Sequence, residues 1–176
     1  VTYDEEGANL FVSRRRGKER SRWFDSVEVW TPDGGLLRYA VFVDGEGLRL
    51  LDQSSSWIVT SCTDGHDRLW DVETGALIHE FNEVQSFTAW ASIDPSGDRL
   101  ARGQSSSEGG PSRVVLWDIR GERESNKLPD HEAVTTGGEW SPSGEILLTY
   151  SSDGASLWSV ADASLVAALE HDGECH

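Results

Sequence analysis

Four tryptophans recur with a period. Trp30, Trp70, Trp117 and Trp158 lie 40, 47 and 41 residues apart, and each ends a short extended run such as Val114-Val115-Leu116-Trp117. A second marker shares the phase. Asp4-Glu5-Glu6-Gly7, Asp52-Gln53-Ser54-Ser55, Asp94-Pro95-Ser96-Gly97 and Ser141-Pro142-Ser143-Gly144 begin 48, 42 and 47 residues apart. Two independent markers with one period mean an internal repeat. A period of about 40–45 residues is that of propeller blades, and such arrays usually serve binding rather than chemistry.

Each period reads as four short strands separated by turns. In the last, residues 135–140, 145–150, 155–160 and 165–169 are apolar-alternating runs, and Pro, Gly, Asp and Ser clusters bound them. Such runs predict antiparallel strands. The segment 161–169 has the weak look of a helix, but the repeat phase assigns it to a turn and a fourth strand. The expected second strands of the other periods are 10–13, 58–62 and 100–103, and the expected fourth strands fall near 36–42, 77–81 and 125–128. The expected architecture is all-β, with repeats at 1–43 (its first strand truncated), 44–82, 83–129 and 130–170, and with 171–176 opening a further loop.

The turn-to-tryptophan distance is 18 residues in the second period and 17 in the fourth, but 26 in the first and 23 in the third. The excess predicts lengthened hairpins at 14–25 and 104–112. The first is distinctive. Arg14, Arg15, Arg16, Lys18, Arg20 and Arg22 hold six of the fifteen Lys and Arg residues, beside Trp23 and Phe24. Arg and Trp are enriched at interface hot spots, so this hairpin can clamp an acidic or phosphorylated partner. The alternative is a solvated loop that offsets an acidic body.

Composition narrows the classes. A net charge of −16 disfavours general nucleic-acid binding, which rests on neutralising phosphates. No apolar run is long enough for a membrane helix, so no membrane association is expected. Cys62 and Cys175 are the only cysteines, too few for a disulfide framework, and they suggest a reducing, cytoplasmic setting. No cofactor, metal site or catalytic group is expected. Asp64-Gly65-His66-Asp67 offers two carboxylates beside an imidazole, but Asp and Gly at this spacing already make a tight turn. His171, Asp172, Glu174, Cys175 and His176 match no familiar zinc spacing. The segment 104–110 is Gly-rich without the Lys and helix of a phosphate loop.

These residues resemble the WD40 repeat family. Ile58-Val-Thr-Ser-Cys-Thr-Asp-Gly-His-Asp-Arg-Leu-Trp-Asp71, Val114-Val-Leu-Trp-Asp118 and Glu139-Trp-Ser-Pro-Ser-Gly-Glu-Ile-Leu147 carry the likeness, which covers essentially the whole chain. It is weaker in the first repeat, where Thr31 follows Trp30. The resemblance implies four blades of four antiparallel strands in a β-propeller. It also implies a structural tetrad of loop His, second-strand hydroxyl, turn Asp and third-strand Trp. Transferred by position, this is His131, Ser151, Asp153 and Trp158 in the fourth repeat. In the second it is Asp64 and Trp70, with Cys62 at the hydroxyl position. The resemblance further implies a non-catalytic protein-interaction scaffold, whose missing blades lie in a longer chain or a self-associated copy. A regulatory sensor propeller and a propeller hydrolase are the other readings.

Overall fold

The computed structural model describes residues 2–3, 10–19, 22–31, 33, 37–44, 48–82, 86–106, 112–131, 133–152 and 154–170. Side chains are described for 11, 26–31, 33, 48–82, 87–105, 112–131, 133–152 and 154–169. The strands are all antiparallel, and among the described residues there is no helix.

Among the described residues sixteen strands form four four-stranded sheets, each made from four consecutive strands. The first sheet holds β1 (Thr2–Tyr3), β2 (Leu10–Glu19), β3 (Arg22–Trp30) and β4 (Leu37–Asp44). The second holds β5 (Arg49–Gln53), β6 (Trp57–Ser61), β7 (His66–Asp71) and β8 (Leu77–Asn82). The third holds β9 (Ser86–Ile93), β10 (Arg99–Ser106), β11 (Arg113–Asp118) and β12 (Arg123–Lys127). The fourth holds β13 (Thr135–Trp140), β14 (Ile146–Ser151), β15 (Gly154–Ser159) and β16 (Leu165–Glu170).

The repeated Pro-Ser-Gly marker is a hairpin turn. Gly97 N–H donates to the Asp94 carbonyl at 2.9 Å and Gly144 N–H to the Ser141 carbonyl at 2.8 Å. Both glycines have positive φ, 73° and 69°, a conformation that costs a residue without a Cβ least. The segment 161–169 ends in strand β16, so strand phase prevails over the weak helical look.

The inserted residues differ from expectation in one respect. The expected second strand 10–13 runs on to Glu19, and β3 starts at Arg22, so most of 14–25 is ladder. Arg14 pairs with Ser26, Arg15 with Asp25, Arg16 with Phe24 and Glu19 with Arg22. Pairing gives the backbone groups partners that an open loop would leave to water. In the third sheet β10 likewise extends through Gln104, Ser105 and Ser106, which pair with Thr88, Phe87 and Ser86.

The chain divides into two units, Val1–Val84 and Gln85–His176. Within the first, Phe11, Val27 and Val29 pack with Ile58, Cys62 and Val72. Cys62 is buried there as a small apolar residue. Within the second unit, Ala101, Val114, Leu116 and Leu128 of the third sheet pack with Leu147, Trp158 and Val160 of the fourth. Trp90 sits where these two sheets meet. Its ring fills the space over Gly103 and Gly138, so that a Cβ at either glycine collides with the indole. Glycine inside a strand commonly marks such a close approach.

Candidate functional site

The third-strand tryptophans of the second and fourth sheets share one arrangement. The ladder pairs Ile58 with Trp70 and Leu147 with Trp158. Two residues along the second strand, on the same face, stand Thr60 and Thr149, because strand side chains alternate. The Trp70 indole N–H donates to Thr60 Oγ1 at 2.9 Å and that of Trp158 to Thr149 Oγ1 at 2.9 Å. In the other two sheets the equivalent positions are Val12, facing Trp30 by way of Leu10, and Arg102, facing Trp117 by way of Leu100. Neither residue has a hydroxyl. The Trp30 indole instead donates to Glu28 at 3.0 Å.

Two sequence expectations are corrected here. The hydroxyl that joins His131 and Trp158 is that of Thr149, where Ser151 was expected, and Thr60 rather than Cys62 holds the equivalent position under Trp70. Ser151 and Cys62 lie two residues further along, at the strand end, out of line with the indole. The Ser151 hydroxyl donates to the Gly154 carbonyl at 3.4 Å. Asp153 lies outside the described residues. Asp64 accepts from the His66 amide at 2.9 Å and from Arg68 at 2.7 Å.

His131 Nε2 lies 3.0 Å from Thr149 Oγ1, and its ring centroid is 5.1 Å from that of Trp158. Burial pushes this imidazole below its ordinary range, against the opposing pull of the Pro129 carbonyl and the Asp130 carboxylate. The ring approaches the Pro129 carbonyl, although Nδ1 makes no hydrogen bond of good geometry. A neutral imidazole therefore fits the network. Its position is fixed by the third sheet, since His131 and Ser112 exchange backbone hydrogen bonds of 2.8 and 3.0 Å. The Ser112 hydroxyl lies 2.8 Å from Thr135 Oγ1, which accepts from the Trp90 indole at 3.1 Å. Trp90, Ser112 and Thr135 were not picked out from the sequence. Gly103 and the pair Gly137-Gly138, glycines within strands, were the available signal.

Beside this network opens a cavity of about 300 Å³, lined by Asp130, His131, Thr149, Ser156, Trp158 and Ala168 among others. Its walls are mixed, with Thr149, Ser151 and Ser156 as well as Leu165 and Leu169. A second charged group sits at the β6–β7 turn of the second sheet. Arg68 pairs with Asp64 at 2.7 Å and Glu80 at 2.8 Å, and His66 Nδ1 is 3.5 Å from Glu80. Burial opposes both charges of the Asp64–Arg68 pair, but the contact wins and holds Asp64 below and Arg68 above their ordinary values. Gly65, with φ 86°, and the Gly65 N–H to Cys62 carbonyl bond of 3.1 Å make this the tight turn that the sequence suggested. The Asp64 carboxylate is engaged with Arg68 and the His66 amide, and that of Glu80 with Arg68.

Among the described residues no group of three or more His, Cys, Asp or Glu side chains is placed to hold a metal ion. Among the described residues no helix is long and apolar enough to cross a membrane. Arg14, Arg15 and Arg16 lie on β2 and Arg22, Trp23 and Phe24 on β3, so the ladder brings the two halves of the basic-aromatic set onto one hairpin. Their side chains lie outside the described residues, as do 107–111 and 171–176. No protein-family model matches this chain, and no curated protein matches it in sequence.

Proposed function

We propose that this chain is a non-catalytic protein-interaction scaffold whose four sheets are blades of a WD40-like β-propeller. One observation carries the reading. Sheets of four consecutive antiparallel strands repeat along the chain, and in two of them a third-strand Trp bonds a second-strand Thr at the same register position. Repeats of this kind bury their cores between neighbours and leave turns and hairpins free to recognise partners. The proposed binding centre is the β2–β3 hairpin, with Arg14, Arg15, Arg16, Arg22, Trp23 and Phe24. Arg pairs with carboxylates and phosphates through two parallel hydrogen bonds, so the partner class is a protein with an acidic or phosphorylated segment.

The test uses a fluorescent acidic phosphoserine peptide. Wild-type chain binds it, and added salt weakens the binding because the attraction is electrostatic. The Arg14/Arg15/Arg16→Ala variant loses affinity about tenfold or more. The Trp23/Phe24→Ala variant loses affinity that salt does not restore. Equal binding by all three chains moves the site away from this hairpin.

A further inference from the structure

The second and fourth sheets differ at one matched pair of positions. In the second, Arg68 lies opposite Thr60 on β6 and Glu80 on β8. In the fourth, Ser156 lies opposite Thr149 on β14 and Ala168 on β16. The registers agree further along, because Trp70 and Trp158 stand two residues on and each ladder skips a residue there, Ile78 and Val166. The Arg68 guanidinium is held by Glu80 at 2.8 Å and by Asp64 at 2.7 Å, and only 12 % of the side chain is exposed. Ser156 and Ala168 are too short to fill the matching place, and both line the cavity of about 300 Å³ that opens there. The second sheet thus shows what fits the position: a guanidinium across the two outer strands, on the face of Thr60 and Trp70.

The cavity belongs to the face that the fourth sheet turns to the third. Leu147 and Trp158 share that face with Thr149 and Ser156 by strand alternation. They sit in one core cluster with Val114 and Leu116 of the third sheet. The connector that follows β12 supplies another wall, with Asp130, His131 and Ala133. A further repeat, stacked as the fourth sheet stacks on the third, would meet the opposite face, that of Leu157. Leu116 holds the same place before Trp117 as Leu157 does before Trp158.

We propose that this cavity receives an arginine side chain of a partner protein, which takes the place that Arg68 takes in the second sheet. Asp130, on the cavity wall, supplies the carboxylate. Its ion pair with Arg113 is 3.7 Å long between two exposed side chains, and such a pair holds weakly. Ser156 adds a hydroxyl oxygen that can accept. The planar fork of arginine engages a carboxylate and further acceptors at once, which the point charge of lysine does less well. Burial keeps the neighbouring His131 imidazole neutral, so it does not repel a cation. A volume at the low end of the range for ligand pockets, about 300–1,000 Å³, suits one side chain rather than a cofactor. This site takes a cation where the β2–β3 hairpin takes an anion, so each stands or falls without the other.

The probe is N-acetyl-arginine methylamide, titrated into the ¹⁵N-labelled chain and read by amide chemical shifts. Saturable shifts are expected at Asp130, Ser156 and Ala168. The citrulline analogue, alike in shape but uncharged, should give none. Asp130→Asn should weaken binding by about threefold. Ser156→Arg with Ala168→Glu transplants the second sheet's arrangement and should abolish the shifts without lowering the thermal midpoint. If that double variant fails to fold, the citrulline comparison decides alone, since it alters nothing in the chain. A blocked peptide with one arginine among glycines and serines should shift the same amides. Its exclusion would assign the cavity to a free guanidinium compound and overturn the proposal. The absence of saturable shifts, equal shifts with citrulline, or shifts that survive in a folded double variant overturn it as well. So does sedimentation showing a dimer that the double variant dissolves, because the arginine then comes from a second copy.

Discussion

The second and fourth sheets solve one problem to different depths. Both bury a threonine, Thr60 and Thr149, each 1 % exposed, and both give its oxygen to an indole N–H. In the second sheet the arrangement stops there among the described residues, and Trp70 is only half-buried. In the fourth, His131 adds a second hydrogen bond to the same oxygen, and Trp158 is 6 % exposed. The indole–threonine pair comes from strand register within one sheet. The histidine comes from a connector that Ser112 of the neighbouring sheet holds in place. Local pairing makes the simple version, and packing between sheets makes the elaborate one.

The comparison breaks most readily at the tryptophans. Trp158→Ala removes a ring from the core cluster that holds Leu116, Leu147 and Val160 and is expected to cost about 3–5 kcal/mol. Trp70→Ala, at a half-buried site, should cost about 2 kcal/mol. Denaturant midpoints of the two variants decide it, and equal losses erase the distinction between the sheets.

A smaller effect separates the hydroxyls. Thr149→Val strips a partner from both Trp158 Nε1 and His131 Nε2 and should cost about 2–3 kcal/mol. Thr60→Val strips one from a less buried indole and should cost about 1 kcal/mol. Gly138→Ala tests the support from the third sheet, because the new methyl meets the Trp90 ring. It should cost about 1–3 kcal/mol, the range for overpacking, and should shift the His131 ring resonances in NMR. A Gly138→Ala chain with unchanged resonances uncouples Trp90 from His131.

The smallest expected effect is in pH dependence. His131 titrates below its ordinary 6.5 in the fold, so the unfolded chain takes the proton first. Stability is then full above about pH 6.5 and declines as pH falls from there toward the folded value. His131→Gln should flatten that stretch of the stability curve. Asp94 acts lower. Burial alone raises its carboxyl, but the Ser96 hydroxyl, the Arg99 amide and the Arg99 guanidinium together bring it below 3.8. Its contribution is present above about pH 3.8 and is lost as pH falls through the folded value. Asp94→Asn should remove this second decline and leave the first.

Much of this was readable in the chain. The spacing of Trp30, Trp70, Trp117 and Trp158 and the turn markers placed the strands, because period-2 apolar patterns and turn residues act locally. The Pro-Ser-Gly turns, the Asp64 turn and the strand at 165–170 follow from residues within one hairpin. The hydroxyl was misplaced by two residues because a serine and a threonine on the same strand face look alike in sequence. Only the pairing of Leu147 with Trp158 puts Thr149 within reach.

The sequence by itself determined the all-β repeat, the strand order and the partition into four sheets. Each of these depends on alternation and turn chemistry over fewer than about ten residues, the scale on which backbone preference acts. Tertiary structure alone decided which oxygen the indoles reach, that Trp90 lies over Gly103 and Gly138, and that Ser112 holds His131. It also decided that the basic insertion is a paired ladder. Those outcomes depend on contacts across paired strands and between sheets, from Thr149–Trp158, nine residues apart on neighbouring strands, to Trp90–Thr135, 45 residues apart in different sheets. No local pattern encodes such distances until the strands have paired and the sheets have packed.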